Sequence, residues 1–184
     1  VLRFQGRNRP GAFQIEGVSK MDTFVEQIIV KKKGPKEIAI ITGTILLVVI
    51  LVFVLFLFLN YFSLVIDMLL IYGAWWLITG QNVEYEYSVT NGDIDIDQII
   101  AQRKRKRVVS VAGSKIETAG PYNPTEFAGP RFDRTVVAAP AETAPGVWYF
   151  TYHSKKSGST LVLFQPEERV MDAFKASLPK LLML

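Results

Sequence analysis

The alternation of apolar and polar positions changes character along this chain, and each change predicts a different kind of element. From residue 38 to residue 79 the side chains are apolar almost without interruption, and Asp67 is the only charge. Residues 38–59 form a stretch of 22 with no charge and no proline. As a helix rising ~1.5 Å per residue it measures about 33 Å, enough to cross a hydrocarbon core of ~30 Å. The whole run of 42 residues would be about twice too long for one crossing, so the pattern predicts two. Its most polar point, Asn60-Tyr61-Phe62-Ser63, is where a turn belongs. The expected unit is a two-helix transmembrane hairpin over residues 38–80, with spans at 38–59 and 63–79. The second span, roughly 26 Å long, needs some local thinning of the bilayer.

Beyond residue 80 the period drops to two. Val83, Tyr85, Tyr87 and Val89 alternate with Glu84, Glu86, Ser88 and Thr90, the mark of a half-buried strand. Asn91-Gly92 is a strong hairpin signal, because both residue types tolerate positive φ. A return strand over 93–100 sets Ile94 and Ile96 against Asp93, Asp95 and Asp97, and loses its alternation near Gln98, which predicts a bulge there. Residues 108–116 read as a third strand or a strand pair turning at Gly113. Residues 118–146 hold five prolines and read as a long, partly mobile loop with one short strand at 135–138. Strands over 147–153 and 160–164 follow, joined by a turn at 155–158. A helix starts at Pro166-Glu167-Glu168, buries Val170, Met171, Phe174 and Leu178, and stops at Pro179.

Ahead of the apolar run, Phe24, Val25, Ile28 and Ile29 are spaced for one face of a short helix. Residues 21–37 therefore read as an amphipathic, basic segment ended by Gly34-Pro35. Such a helix lies either in the membrane interface or against the soluble domain. Residues 1–20 have no apolar stretch of the kind a signal peptide needs. They read as a disordered leader, or as the product of a start assigned too early, with Met21 the true first residue. A purine-rich coding of Glu16-Gly17-Val18 would resemble a ribosome-binding site ahead of the Met21 codon.

Charge adds an orientation. Lys31, Lys32, Lys33 and Lys36 precede the first span, Arg103-Lys104-Arg105-Lys106-Arg107 follow the second, and the turn between the spans carries no charge. Positive residues stay inside, so both termini and residues 81–184 are expected on the cytoplasmic side of a bacterial membrane, in a multi-pass protein. Tyr61 at the turn, with Trp75 and Trp76 near the far end of the second span, are interface anchors. Strand lengths return the basic run to headgroup level, where each Lys or Arg near an anionic surface contributes about 1 kcal/mol. Lys31, Lys32, Lys33 and residues 103–107 are accordingly candidate lipid-headgroup contacts. The competing readings are a solvated strand and nucleic-acid binding. The latter is disfavoured because residues 81–184 carry thirteen Lys and Arg against twelve Asp and Glu.

Candidate chemistry is sparse. The chain has no cysteine and one histidine, His153, which argues against zinc and thiol chemistry. It has no phosphate-binding glycine loop and no nucleophile elbow. Asp93, Asp95 and Asp97 lack the glycine and glutamate that a calcium loop requires downstream, so a solvated strand face is expected. Asp67 reads as a residue near the outer headgroups or hydrogen-bonded within the hairpin; a proton- or cation-coupling role is the sharper alternative. No cofactor, no metal and no enzymatic activity are expected. Two function classes follow: a membrane-anchored binding or scaffold module with a lipid or protein partner, or an accessory subunit of a transport or envelope complex that works through its spans.

Met21-Asp22-Thr23-Phe24, Val83-Glu84-Tyr85-Glu86-Tyr87-Ser88, residues 91–99 (NGDIDIDQI) and Pro166-Glu167-Glu168 resemble a small family of bacterial two-span membrane proteins with a C-terminal pleckstrin-homology-like domain. The resemblance covers about residues 21–180. It implies an α+β membrane protein in which the hairpin is followed by a small antiparallel β roll with a C-terminal capping helix. It carries over no activity and no site residues. The proline-rich loop leaves room for six or seven strands.

Overall fold

The structure, a computed structural model, describes residues 24–127, 129 and 132–178. The leader at 1–20, the Met21-Asp22-Thr23 segment and the helix stop at Pro179 lie outside the described residues.

The described chain opens as a strand, not a helix. β1 (Phe24–Val30) pairs antiparallel with β2 (Val83–Thr90), with Val30 opposite Glu84. This corrects the amphipathic helix expected at 21–37, and Gln27 is the physical reason. Val25, Gln27 and Ile29 alternate inward against outward Phe24, Glu26, Ile28 and Val30. A buried amide at the central inward position disguises the period of two. Gln27 is satisfied where it lies: its Nε2 donates to the Gln165 carbonyl at 3.1 Å, and its Oε1 accepts the Glu167 N–H at 2.8 Å.

Gly34-Pro35 opens a helix instead of closing one. Pro35 is the first residue of α1 (Pro35–Leu59), where a missing N–H costs nothing. Glu37 accepts the Gly34 N–H at 3.0 Å and the Lys31 ammonium at 2.9 Å, which fixes the entry. The helical run Pro35–Thr79 is long and apolar enough to cross a membrane. At Asn60 (φ 50°, ψ −128°) regular geometry gives way to a 3-10 segment, Asn60–Phe62, followed by α2 (Ser63–Thr79). The two helices contact one another. Less exposed residues recur at intervals of three and four: Ile41, Thr44, Val48, Val52, Leu55 and Leu59 on α1, and Ser63, Asp67, Leu70, Ala74 and Ile78 on α2. That is the spacing of a helix–helix seam. Large apolar side chains cover the other faces and are exposed.

β2 turns at Asn91-Gly92, with φ of 51° and 96°, into β3 (Asp93–Ile100), the hairpin expected from the sequence. β3 pairs with β4 (Lys104–Ala112). Ile96 faces Val109 while Asp97 faces Arg107, so the extra residue is Val108 on β4. The bulge expected near Gln98 thus belongs to the partner strand. A 3-10 turn, Gly113–Lys115, passes the chain to β5 (Ile116–Pro121) in a second sheet. That sheet has the order β5-β7-β8-β6, with β6 (Arg134–Val137), β7 (Trp148–Ser154) and β8 (Gly158–Phe164). All pairs are antiparallel except β6 with β8. The long connection from β5 frees β6 to enter in the parallel sense, a departure from the all-antiparallel roll. Eight strands are present among the described residues, against the six or seven expected, chiefly because β1 reads as helical in the sequence.

The two sheets and α3 (Glu168–Ser177) enclose one core. Tyr87, Ile96 and Val109 come from the first sheet, and Phe150, Val162 and Phe164 from the second. Phe174 of α3 sets its ring 4.9 Å from Phe164 and 5.7 Å from Phe150, so the helix caps the core as expected. The proline-rich stretch is not a free loop over its described residues. Tyr122, Phe127 and Phe132 pack with Tyr149, Leu161 and Leu163 in a second apolar cluster, and Phe127 lies 4.5 Å from the Tyr149 ring.

Candidate functional site

The turn from β3 to β4 lies at the base of the helices and is bent in an unfavourable direction. Ala101 and Gln102 have φ of 54° and 55°, a region that costs a residue with a Cβ about 1 kcal/mol or more. The Ala101 N–H reaches the Asn82 carbonyl at 2.8 Å and ties the turn to the end of α2. Arg103 follows. Its Nη2 donates to Thr79 Oγ1 at 2.6 Å, and its guanidinium lies 5.4 Å from the Trp75 ring centroid, in cation–π range.

Hollows lie on both sides of this turn. On one side is a cleft of about 610 Å³, walled by Lys31 and Lys33 from the β1–α1 link, Trp75 and Thr79 from α2, and Gln102 and Arg103 from the turn. Glu84 also lines it and accepts a hydrogen bond from Gln102 at 3.3 Å. On the other side is a smaller hollow of about 330 Å³, lined chiefly by Trp76, Leu77, Gly80 and Ile100, with Lys104 at its margin. Ala101 and Arg103 border both.

The basic residues singled out in the sequence are divided by this geometry. Lys33 and Arg103 face the cleft, and among the described residues neither has an ion-pair partner. Lys31 also reaches the cleft but is paired with Glu37. Lys32 anchors the link through its N–H to the Pro140 carbonyl at 2.8 Å. Lys106 is exposed and borders neither hollow. Arg105 and Arg107 are committed to carboxylates: Arg105 pairs with Glu86, while Arg107 contacts Asp97 and Asp95, each at 2.9 Å. The hydrogen bond to Asp97 is the main cause that raises the Arg107 pKa above its ordinary value. Asp93 is exposed, but Asp95 is half-buried and Asp97 buried, which corrects the solvated face expected for the three aspartates. Among the described residues no three His, Asp or Glu side chains gather to hold a metal ion.

Trp75 and Trp76 stand one in each hollow, and Tyr61 is exposed in the 3-10 segment at the opposite end of the helices. Asp67 is buried in the α1–α2 seam, and among the described residues its Oδ1 has no hydrogen-bond partner. His153 is exposed on β7.

A family model described as a bacterial PH-like domain (DUF6106) matches residues 21–184. The chain belongs to this family. No curated protein and no solved structure is significantly similar to it. The PH-like family supplies the α+β framework of antiparallel pairs closed by a C-terminal helix, and the match takes in the apolar helices together with both sheets. PH-like architecture suits a binding or scaffold module. Within this PH-like chain the cleft uses residues that nothing in the sequence marks out. Ala101 and Gln102 are not turn-type residues, and Thr79, Asn82 and Glu84 join the site only because β3 returns to the point where β2 departs.

Proposed function

We propose that this protein is a non-enzymatic binding or scaffold module, held against the cytoplasmic face of a bacterial membrane by a helical hairpin. The pairing of Val30 with Glu84 carries the reading. The strand that feeds the 45-residue helical run and the strand that leaves it are neighbours, so the run begins and ends at one margin of the PH-like domain. At ~1.5 Å per residue, α1 reaches about 37 Å outward and α2 about 26 Å back. Both distances suit a bilayer, and the exposed apolar faces of both helices suit lipid. The uncharged Asn60–Ser63 turn and the lysines and arginines at the helix base favour this orientation by the positive-inside rule.

The absence of cysteine makes the test clean. Single variants Phe62→Cys and Lys155→Cys are exposed to a membrane-impermeant maleimide on intact cells and on permeabilised cells. Residue 62 is expected to label from outside, and residue 155 only after permeabilisation. Labelling of both from the same side ends the hairpin reading, and release of the wild type by alkaline carbonate ends the membrane reading.

A second reading, an accessory subunit acting through its spans, draws on Asp67. A nine-tenths-buried carboxylate with an unpartnered oxygen is costly in a membrane helix, and a partner's spans could supply the missing donor. Purification in mild detergent discriminates: a co-purifying polytopic partner lost in Asp67→Leu favours this second reading.

A further inference from the structure

We propose that the two hollows at the helix base hold one singly charged glycerophospholipid, its phosphodiester between Lys33 and Arg103 and its apolar part beside Trp76 and Leu77. This inference rests on the membrane-anchored reading above.

Chemistry selects the ligand. Arg103 is the one guanidinium of the basic run not taken by a carboxylate, and its planar fork matches phosphate oxygens. Thr79 and Trp75 hold it in place, so little is lost in ordering it on binding. Lys33 makes no hydrogen bond or ion pair among the described residues and faces the same space. The strained Ala101-Gln102 backbone is what presents Arg103 at the helix base, and strain of this kind collects where geometry serves a ligand. Glu84 on the cleft wall limits the charge the site can accept: a monoanionic phosphodiester fits better than a dianionic phosphomonoester. The adjoining apolar hollow, which shares Arg103 and Ala101 with the cleft, distinguishes a lipid from a soluble phosphate. Trp75 and Trp76, types that favour the membrane interface, set both hollows at the depth of the headgroups.

The test uses the full chain in phosphatidylcholine nanodiscs carrying a minor fraction of phosphatidylglycerol, with retained lipid counted by native mass spectrometry after release into detergent. One phosphatidylglycerol per chain is expected on the wild type. The double variant Lys33→Ala/Arg103→Ala is expected to retain it about thirtyfold less well. Lys155→Ala/Lys156→Ala, the same loss of charge in the β7–β8 turn, is expected to retain it fully. Equal loss from both double variants, or from neither, overturns the site; carbonate-resistant membrane association in the same preparations shows that the anchoring reading has survived. Displacement by glycerophosphoglycerol, the soluble phosphodiester headgroup, as effective as by the lipid itself overturns the lipid assignment in favour of a soluble phosphodiester. If the double variant loses its native circular dichroism, Lys33→Gln carries the test, with about fivefold weaker retention expected.

Discussion

Glu86 and Asp97 stand directly opposite one another on β2 and β3, with both residues more than nine-tenths buried. Two carboxylates so placed repel each other, and burial removes the water that would screen them. Arg105 and Arg107 of β4 close over them as counter-charges. Arg105 and Arg107, two of the five residues in the basic run, are therefore internal wiring of the first sheet.

Arg107→Ala is expected to lower stability by about 1–3 kcal/mol. Removing one partner of a buried pair costs ~3–5 kcal/mol, discounted here because the Arg107 side chain is more than half exposed. Adding Asp97→Asn to Arg107→Ala should recover part of the loss, since the stranded charge goes with it. Thermal unfolding of the four members of this cycle in detergent measures the coupling. Strict additivity would mean that the pair does not hold the sheet.

Tyr87 joins the two sheets through its hydroxyl, which donates to the Ala138 carbonyl at 2.5 Å and accepts the Gln165 N–H at 3.2 Å. Tyr87→Phe strands both groups and should cost about 1–3 kcal/mol. A pH dependence accompanies it. Burial raises the Tyr87 pKa well above that of a free phenol, and burial together with the Glu142 hydrogen bond pushes Tyr122 up to about 12. Between pH ~10 and the folded values, the unfolded chain loses these protons first. The stability they protect is complete below pH ~10 and falls as pH rises. Unfolding free energies measured from pH 9 to 12 should decline less steeply in Tyr87→Phe than in wild type; parallel slopes would refute the linkage.

Gly113 sits where the first sheet hands the chain to the second, beneath the end of α3. A Cβ there would collide with the Ser177 carbonyl oxygen and lie 2.9 Å from that of Gly92. Both obstacles are backbone and cannot swing aside. Gly113→Ala should cost about 2 kcal/mol or more and loosen α3 first, read as faster hydrogen exchange at 168–177. Gly43→Ala, with open space around it, is the matched control and should leave stability unchanged or slightly raised.

How legible these features are in the sequence depends on how local their causes are. The Asn91-Gly92 hairpin, the polar break at Asn60 and the capping helix ending in Phe174 and Leu178 are written in consecutive residues. β1 is hidden because its central inward position holds Gln27, whose partners lie 138 and 140 residues away. The parallel β6 and the cluster around Phe127 are equally non-local, since they need β8 in place before they have anything to pack on. The basic run is legible as charge but not as function. Alternation alone puts Arg105 and Arg107 on the Asp97 face, but the positive φ of Ala101 and Gln102, which turns Arg103 elsewhere, has no signature in those residue types.

Asp67 offers the sharpest contrast between a helix seam and a working site. Its side chain lies between α1 and α2 one turn above Ser63, and Ser63 spends its hydroxyl on the Asn60 carbonyl at 2.9 Å, leaving the Asp67 Oδ1 without a donor. Leucine has nearly the shape of aspartate, so Asp67→Leu removes the unpartnered oxygen without opening a cavity. If the helices act only as an anchor, the exchange should stabilise the protein in detergent by about 1–3 kcal/mol. Asp67→Asn, which keeps a polar atom in the same place, should change it far less. Thermal unfolding of the two variants side by side gives the answer. A lower melting temperature for Asp67→Leu would mean that the carboxylate holds the seam within the isolated chain, and would overturn its standing as an unpaired cost.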